Sequence, residues 1–197
     1  MTTSLVLDPR TTAFLFMDFQ NGIVPFLGDR ADEVLRPGVA VLEAARAAGA
    51  PVVFVRVAFR EGYPEVSSRN LSGAMLKGSG RLLLDAPDAQ IIPAMAPRPT
   101  EPVVVKHRVG PFSGTDLAPI LRGAAVDTLV LLGVATSGVV LSTVRHAADE
   151  DYRVIVVEDA CADRDPEVHR MLMEKVFPRQ ATVARSEAVI AAVARGA

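Results

Sequence analysis

Short apolar runs that do not alternate with polar residues constrain this chain most. Five of them are AFLFMD (13–18), PVVFVRV (51–57), PVVVK (102–106), TLVLLGV (128–134) and RVIVVED (153–159). A weaker sixth run is ATVA, at 181–184. Strands that are apolar on both faces are typical of parallel sheets covered by helices on each side. The sequence therefore predicts a buried parallel sheet of about six strands.

Helical segments lie between these runs. Gly49 suits the left-handed conformation that often follows a helix, and Asp165 followed by Pro166 is a start signal for a helix to about Phe177. The other predicted helices cover 32–48, Thr115 to about Gly123 with Thr115 as N-cap, 138–150, and Ser186 as N-cap to a point before Gly196. Alternating strands and helices predict a Rossmann-like α/β fold with three layers, α/β/α, and a single domain over 1–197.

Residues 58–100 interrupt this alternation. The segment is rich in Gly, Pro, Ser and Arg and contains one short apolar run, RLLLDA. Long loops in compact domains are usually functional or disordered. We interpret it as a long excursion over one end of the sheet that serves as a lid or an oligomer contact; a poorly ordered connection is the alternative.

The composition of the chain argues against nucleic acid and membranes as partners. The chain has 21 Lys and Arg residues against 23 Asp and Glu, a formal net charge of −2, so no basic surface for nucleic acid is predicted. The apolar runs fall short of the roughly 18 residues of a membrane span, and MTTSLVLDPR lacks the pattern of a secretory signal. Cys161 is the one cysteine, so no internal disulfide can form, which fits a cytoplasmic protein.

Two charged residues come at the ends of predicted buried strands. Asp18 follows AFLFM, and Lys106 follows PVVV. Ligands of open parallel sheets bind beyond the carboxyl ends of the strands, so both side chains are expected at that edge. A desolvated carboxylate needs a cationic partner, and Lys106 can supply it. A structural ion pair and a catalytic pair remain equally open on this spacing.

The stretch GVATSGVVLSTVRHAADEDY (133–152) is read as a strand end, a tight turn and a helix start. A hydrolase of this layout would keep its nucleophile at such a corner. The residue found there is Val139, whose isopropyl group cannot attack a carbonyl.

Four stretches in order resemble the isochorismatase-like hydrolase superfamily, which includes isochorismatases, nicotinamidases and related amidohydrolases. They are DFQNG after the first strand, K-x-R-x-x-x-F-x-G-T-x-L from Lys106 to Leu117, GVATSGVVLSTVRHA, and EDACADRDPEVHRM from Glu158 to Met171. The resemblance extends from about residue 11 to about 184. It implies a small-molecule substrate and a homo-oligomer.

The resemblance also implies roles for individual residues. Cysteine hydrolases of the superfamily use an Asp, Lys, Cys triad, which here falls on Asp18, Lys106 and Val139. The backbone amides of Ala135 and Val139 correspond to the oxyanion hole, and a cis peptide bond is implied between Val134 and Ala135. Backbone groups survive the change of side chain.

The missing thiol decides between activities. Removing the nucleophile of a comparable triad costs about 10⁶ in rate, so amidase chemistry through a covalent intermediate is disfavoured. Isochorismatases proper hydrolyse a vinyl ether without a thiol: an Asp protonates the enol-ether carbon and water captures the oxocarbenium ion. By this resemblance Asp18 is the acid and Lys106 its partner, and the substrate is small and anionic or cyclic. The alternatives are an inactive binding member and, less favoured, a thiol amidase that uses Cys161.

No metal and no cofactor are predicted. Nicotinamidase-like members carry a D-x-H-x-x-H metal site after the second strand, where this chain has VRVAFREGYP. His146 and His169 are interpreted as surface or packing residues. The predicted substrate contacts are Phe19, Gln20, Phe59, Arg108 and Phe112, with Arg56 as an alternative to Arg108 for holding a carboxylate.

Overall fold

The computed structural model describes residues 5–196, and its centre is a sheet of six parallel strands in the order β3-β2-β1-β4-β5-β6. The strands are β1 (Thr12–Met17), β2 (Val52–Val57), β3 (Val103–Lys106), β4 (Thr128–Val134), β5 (Arg153–Ala162) and β6 (Thr182–Ala184). The predicted α/β fold with a six-stranded parallel sheet is confirmed. The direction of strand addition reverses between β1 and β4, the place where open α/β sheets form ligand sites.

Helices cover both faces of the sheet. They are α1 (Ala31–Ala47), α2 (Leu71–Ser79), α3 (Leu117–Gly123), α4 (Leu141–Asp149), α5 (Pro166–Met171) and α6 (Ser186–Gly196). Alternate β1 residues separate the two layers. Phe14 and Phe16 pack in the cluster that includes α1 and α6, whereas Leu15 and Met17 pack in the cluster that includes α3 and α4. Burial on both faces is the reason the strands lack polar alternation.

Several helix ends differ from the prediction. A turn of π-helix at Thr136–Val140 precedes α4, and α6 extends through Gly196. The hydroxyl of Ser186 donates to Asp159 at 2.7 Å, and Ser186 is itself the first helical residue. The predicted cap on the helix was therefore wrong, because the neighbouring strand offers a carboxylate.

Two predicted helix ends hold, and two further ends differ. Asp165 accepts a hydrogen bond from the backbone N–H of Glu167 at 2.9 Å and Pro166 opens α5. Gly49 follows α1 with a φ of +68°. The prediction of Thr115 as the N-cap of α3 was wrong, because Asp116 occupies that position, although the Oγ1 of Thr115 still accepts from the N–H of Leu117 at 3.2 Å. Strand β5 continues to Ala162, past the predicted end at 159, after a register shift against β4.

The excursion at 58–100 contains α2 and two 3₁₀ turns, Pro87–Ala89 and Pro93–Met95. Its inner side forms a small core with the end of β2, made of Phe59, Tyr63, Leu82 and Ala89 among others. The segment is thus packed onto the carboxyl edge of the sheet. Within residues 5–196, no helix combines the length and the apolar character needed to cross a membrane.

Candidate active site

Asp18 and Lys106 meet at the carboxyl edge of the sheet. The Lys106 Nζ lies 2.9 Å from Asp18 Oδ2, and only 3% and 7% of the two side chains are exposed. Asp18 leaves β1 with a φ of +59°, a left-handed conformation that Asp tolerates better than most residues. Its backbone N–H still donates to Val55 of β2, at 2.9 Å. The chain therefore turns at Asp18 while the residue stays attached to the sheet.

The second oxygen of Asp18 has no hydrogen-bond partner. Oδ1 is buried and unbonded, while Oδ2 is bonded to the ammonium group. Burial raises the pKa of the Asp18 carboxyl, and the charge of Lys106 opposes that rise without cancelling it. The unbonded oxygen fits this direction, because a carboxylate with one unsatisfied oxygen gains little from being charged.

Lys106 is held by a second acceptor. Its Nζ donates to the backbone carbonyl of Arg108 at 3.1 Å. Two of the three N–H groups of the ammonium thus have acceptors, and together these two bonds fix its position.

A cavity of about 230 Å³ opens beside this pair. Its wall is mostly apolar and includes Ile23, Val57, Phe59, Leu76, Val109 and Val139. Val139 is 2% exposed. The cavity therefore presents one acid, one ammonium and no nucleophilic side chain at the corner.

The corner at 135–139 forms the opposite wall. The peptide bond between Val134 and Ala135 is cis, as the resemblance implied. Ala135, Gly138 and Val139 line the cavity. Thr143 of α4 donates to the carbonyl of Val139 at 2.6 Å. Both residues of the predicted oxyanion hole thus face the same space as Asp18.

The rear of the corner is bonded to other elements. Asp163 Oδ2 accepts from the backbone N–H of Ser137 at 2.7 Å. The Oγ1 of Thr136 shares a 2.8 Å hydrogen bond with His169 Nδ1. His169 lines a second cavity, of about 330 Å³, that Asp18 and Lys106 do not reach. His169 was predicted to have a surface or packing role, and the structure shows it half-buried, with its ring hydrogen-bonded to the corner.

The model of the isochorismatase domain matches residues 12–188. This chain belongs to the isochorismatase family of hydrolases. It is 32% identical to the uncharacterized isochorismatase family protein YecD of Escherichia coli O157:H7, over 96% of this chain and 100% of that protein.

This isochorismatase-family chain is also similar to a characterised amidohydrolase and to a solved cysteine hydrolase. Maleamate amidohydrolase of Pseudomonas putida is 29% identical, over 81% of this chain and 76% of that protein. A cysteine hydrolase structure from Pseudomonas syringae superimposes with a TM-score of 0.88 at 25% identity, over all of both chains.

The structure brings some of the predicted substrate contacts to the cavity of this isochorismatase-family protein. Phe59 and Arg108 line it. Arg108 is exposed at the rim, where one guanidinium nitrogen donates to the carbonyls of Glu65 and His107 at 3.0 and 2.7 Å.

Four other predicted contacts lie elsewhere. Phe19 packs with Phe16 in the core on the α1 side, since the chain turns at Asp18. Gln20 is fully buried and binds backbone groups of Val57 and Ala89, so it ties the excursion to β2. The remaining two residues make structural contacts. Phe112 stacks on His146, with ring centroids 4.3 Å apart, and Arg56 donates to the carbonyls of Leu84 and Ala89.

Cys161 is apart from the pair. It lines the second cavity, and burial raises the pKa of its thiol to about 12. A thiol with that pKa is almost wholly protonated at neutral pH. The structure therefore disfavours the alternative of a thiol amidase based on Cys161.

Sequence reasoning missed the wall that α2 supplies. Asn70, Ser72, Gly73 and Leu76 line the cavity from the excursion. The signal was present in Asn70, whose Oδ1 caps the helix by accepting from the N–H of Gly73 at 3.0 Å. Among the described residues, no group of three or more His, Cys, Asp or Glu side chains is arranged to hold a metal ion.

Proposed function

We propose that this protein hydrolyses a small, anionic or cyclic substrate without a covalent enzyme intermediate, with Asp18 as general acid and base. The observation that carries the proposal is Asp18 itself, whose buried Oδ1 is unbonded, whose Oδ2 is paired with Lys106, and which lines a cavity with Val139 at its corner. A buried acid with a raised pKa can donate a proton near neutral pH.

The reaction we favour is the hydrolysis of an enol ether. Asp18 holds its proton on Oδ1 while Lys106 binds Oδ2 and fixes the carboxyl plane. The proton moves to the vinyl carbon of the substrate, which leaves an oxocarbenium ion and a carboxylate that Lys106 stabilises. Water adds to the cation and returns its proton to Asp18. The resulting hemiketal or hemiacetal then separates into an alcohol and a carbonyl compound.

The remaining walls account for binding. The amides of Ala135 and Val139 can hold an oxygen of the substrate or of the hemiketal, a role that needs no side chain. Arg108 at the rim is the candidate partner for an anionic group, and Phe59 offers a flat apolar contact. We further propose that α2 acts as a lid, because its first turn lines the cavity from the excursion.

A second candidate is a binding protein without catalysis. Val139 favours it, since the side chain at the corner cannot form a bond to a substrate. The two candidates differ in the need for a proton on Asp18. A binding protein would tolerate Asp18→Asn with a change in affinity alone.

The test is a panel of enol ethers, esters and amides of small acids incubated with wild type, Asp18→Asn and Asp18→Glu. General acid catalysis contributes about 10²–10⁴-fold, so Asp18→Asn should lose that factor in kcat. In wild type kcat/KM should fall at alkaline pH as Asp18 loses its proton. Ligand-induced thermal stabilisation without any turnover would favour the binding protein and reject catalysis.

A further inference from the structure

We propose that Asp163 and His169 are positioning residues that set the geometry of the active-site corner from its rear. The inference rests on the proposed function, because it assigns the corner a part in turnover. Neither residue lines the cavity that holds Asp18 and Lys106. Both act through the consecutive residues Thr136 and Ser137, which lie between Ala135 and Val139.

Asp163 holds the corner by its main chain. Its Oδ2 accepts from the N–H of Ser137 at 2.7 Å, and only 6% of Asp163 is exposed. Arg30 donates to the carbonyl of Asp163 at 3.0 Å, so the residue is itself fixed by the segment before α1. A charge-assisted bond to a backbone N–H is among the stronger hydrogen bonds of a protein.

His169 holds the corner through a side chain. Its Nδ1 shares the 2.8 Å hydrogen bond with the Oγ1 of Thr136, which is fully buried. Burial lowers the pKa of His169, so the ring is neutral at neutral pH and carries one donor and one acceptor nitrogen. The partner of Thr136 is therefore a single defined ring nitrogen.

These bonds matter more here than they would beside a cysteine. With Val139 at the corner, the chemical contribution of the turn is limited to the positions of its backbone amides. Such donors help only when they are already aimed at the developing charge. A displacement of about 1 Å can cost roughly 10²-fold in rate.

Two substitutions of His169 distinguish the effect of losing the hydrogen bond to Thr136 from the effect of losing the imidazole ring. The amide of His169→Asn occupies the place of Nδ1 and can donate or accept, whereas that of His169→Gln occupies the place of Nε2. We expect His169→Asn to retain kcat within about threefold and His169→Gln to lose about tenfold or more, with KM little changed. Asp163→Asn, which keeps an acceptor for Ser137, should likewise exceed Asp163→Ala in kcat.

A thiol placed at the corner gives a readout that does not depend on turnover. In Val139→Cys, the rate of alkylation by iodoacetamide reports the surroundings of residue 139. Adding His169→Asn should leave that rate within about twofold, while adding His169→Gln should change it about fivefold or more. The Asp163 pair should behave in the same order.

Each outcome bears on the inference. Equal alkylation rates in the Asn and Gln variants, whether both unchanged or both altered, would overturn it, because the bond through Nδ1 would then be irrelevant. Absence of turnover in the wild type, with the alkylation order as expected, would reject the proposed function and leave the positioning role in place.

Discussion

Two buried ion pairs lie at opposite ends of the sheet and differ in how fully their atoms are bonded. Asp18 and Lys106 lie at the carboxyl ends of the strands, and Arg46 and Glu101 lie at the amino ends. Exposure is similar, 7% and 3% for the first pair and 9% for Glu101 and 10% for Arg46 in the second. Burial alone therefore does not distinguish them.

Hydrogen bonding does distinguish them. Arg46 donates to both oxygens of Glu101, at 2.8 and 2.7 Å, and the N–H of Arg98 adds a third bond at 2.7 Å. Burial alone would raise the pKa of Glu101, but these bonds outweigh it and the pKa is lowered. The pKa of Asp18 moves the other way, because burial raises it by more than the charge and hydrogen bond of Lys106 lower it. The buried Oδ1, which has no hydrogen-bond partner, fits that direction.

A pair whose oxygens are all bonded is suited to stabilising a fold, whereas a pair with an unbonded oxygen beside a cavity is the one that we propose for chemistry. Perturbed groups occur in both settings, so the pKa direction has to be combined with the bonding of each atom.

The largest effect is expected at the corner. Val139→Cys should create a thiol of low pKa, because it shares the cavity with Lys106. Burial raises the pKa of Cys161 to about 12, so at pH 8 only about one in 10⁴ of those thiols is ionised. Mass spectrometry after alkylation should show position 139 reacting about 10³-fold faster than Cys161. Equal rates, or an ordinary thiol pKa near 8.5 at position 139, would show that Lys106 does not act on the corner.

Next in size is the cost of breaking the satisfied pair. Glu101→Gln replaces the carboxylate that takes two bonds from Arg46 by a neutral amide, while Glu43 stays within 2.9 Å of Arg46 Nη1. Because one ion-pair partner is kept, we expect a loss of about 2 kcal/mol in the free energy of unfolding. Turnover per folded molecule should be unchanged, as this pair is remote from the cavity. Denaturant unfolding of Glu101→Gln and the matched Asp18→Asn variant measures the first, and a change in kcat for Glu101→Gln would contradict the division of roles.

The smallest effect is the pH dependence of stability, and its sign differs between the pairs. The folded pKa of Asp18 lies above 3.8, so its stabilising contribution is complete below pH 3.8 and is lost as pH rises through the folded pKa. The folded pKa of Glu101 lies below 4.5, so its contribution is present above pH 4.5 and is lost as pH falls.

The free energy of unfolding of wild type relative to Asp18→Asn should therefore fall with rising pH. That relative to Glu101→Gln should rise, each by at most about 1.4 kcal/mol per pH unit. Unfolding curves at a series of pH values test both slopes. Slopes of the same sign would contradict the opposite pKa directions of Asp18 and Glu101.

The sequence predicted the strands of the sheet and the two strand ends, of β1 and β3, that bear the charged residues of the candidate site. Apolar runs gave β1 and β3, and parallel strands bring Asp18 and Lys106 to one edge. The resemblance to the family, counted from the G-V-A-T stretch, placed Val139 at the corner after β4. The placement of Asp18 and Lys106 succeeds because it depends on chain direction alone.

The misses arise where the direction of a side chain decides. Phe19 follows the acid in sequence but lies in the opposite layer, because the left-handed turn at Asp18 breaks the alternation of the strand. Helix α2 escaped prediction because Gly73 and Gly78 weaken its local propensity. His169 was underestimated because a hydrogen bond to Thr136, 33 residues away, leaves no local pattern.

The strand order has one more consequence. Asp18 leaves β1 and Lys106 ends β3, so the whole width of β2 separates their backbones, about 10 Å at roughly 4.8 Å per strand. Because the Asp18 side chain on the central strand is short, it can contact its counter-ion only if the residue on the edge strand has a long side chain. The lateral spacing of three backbones thus favours an ammonium on four methylenes, and a shift of the middle strand would change the distance between the two charged groups.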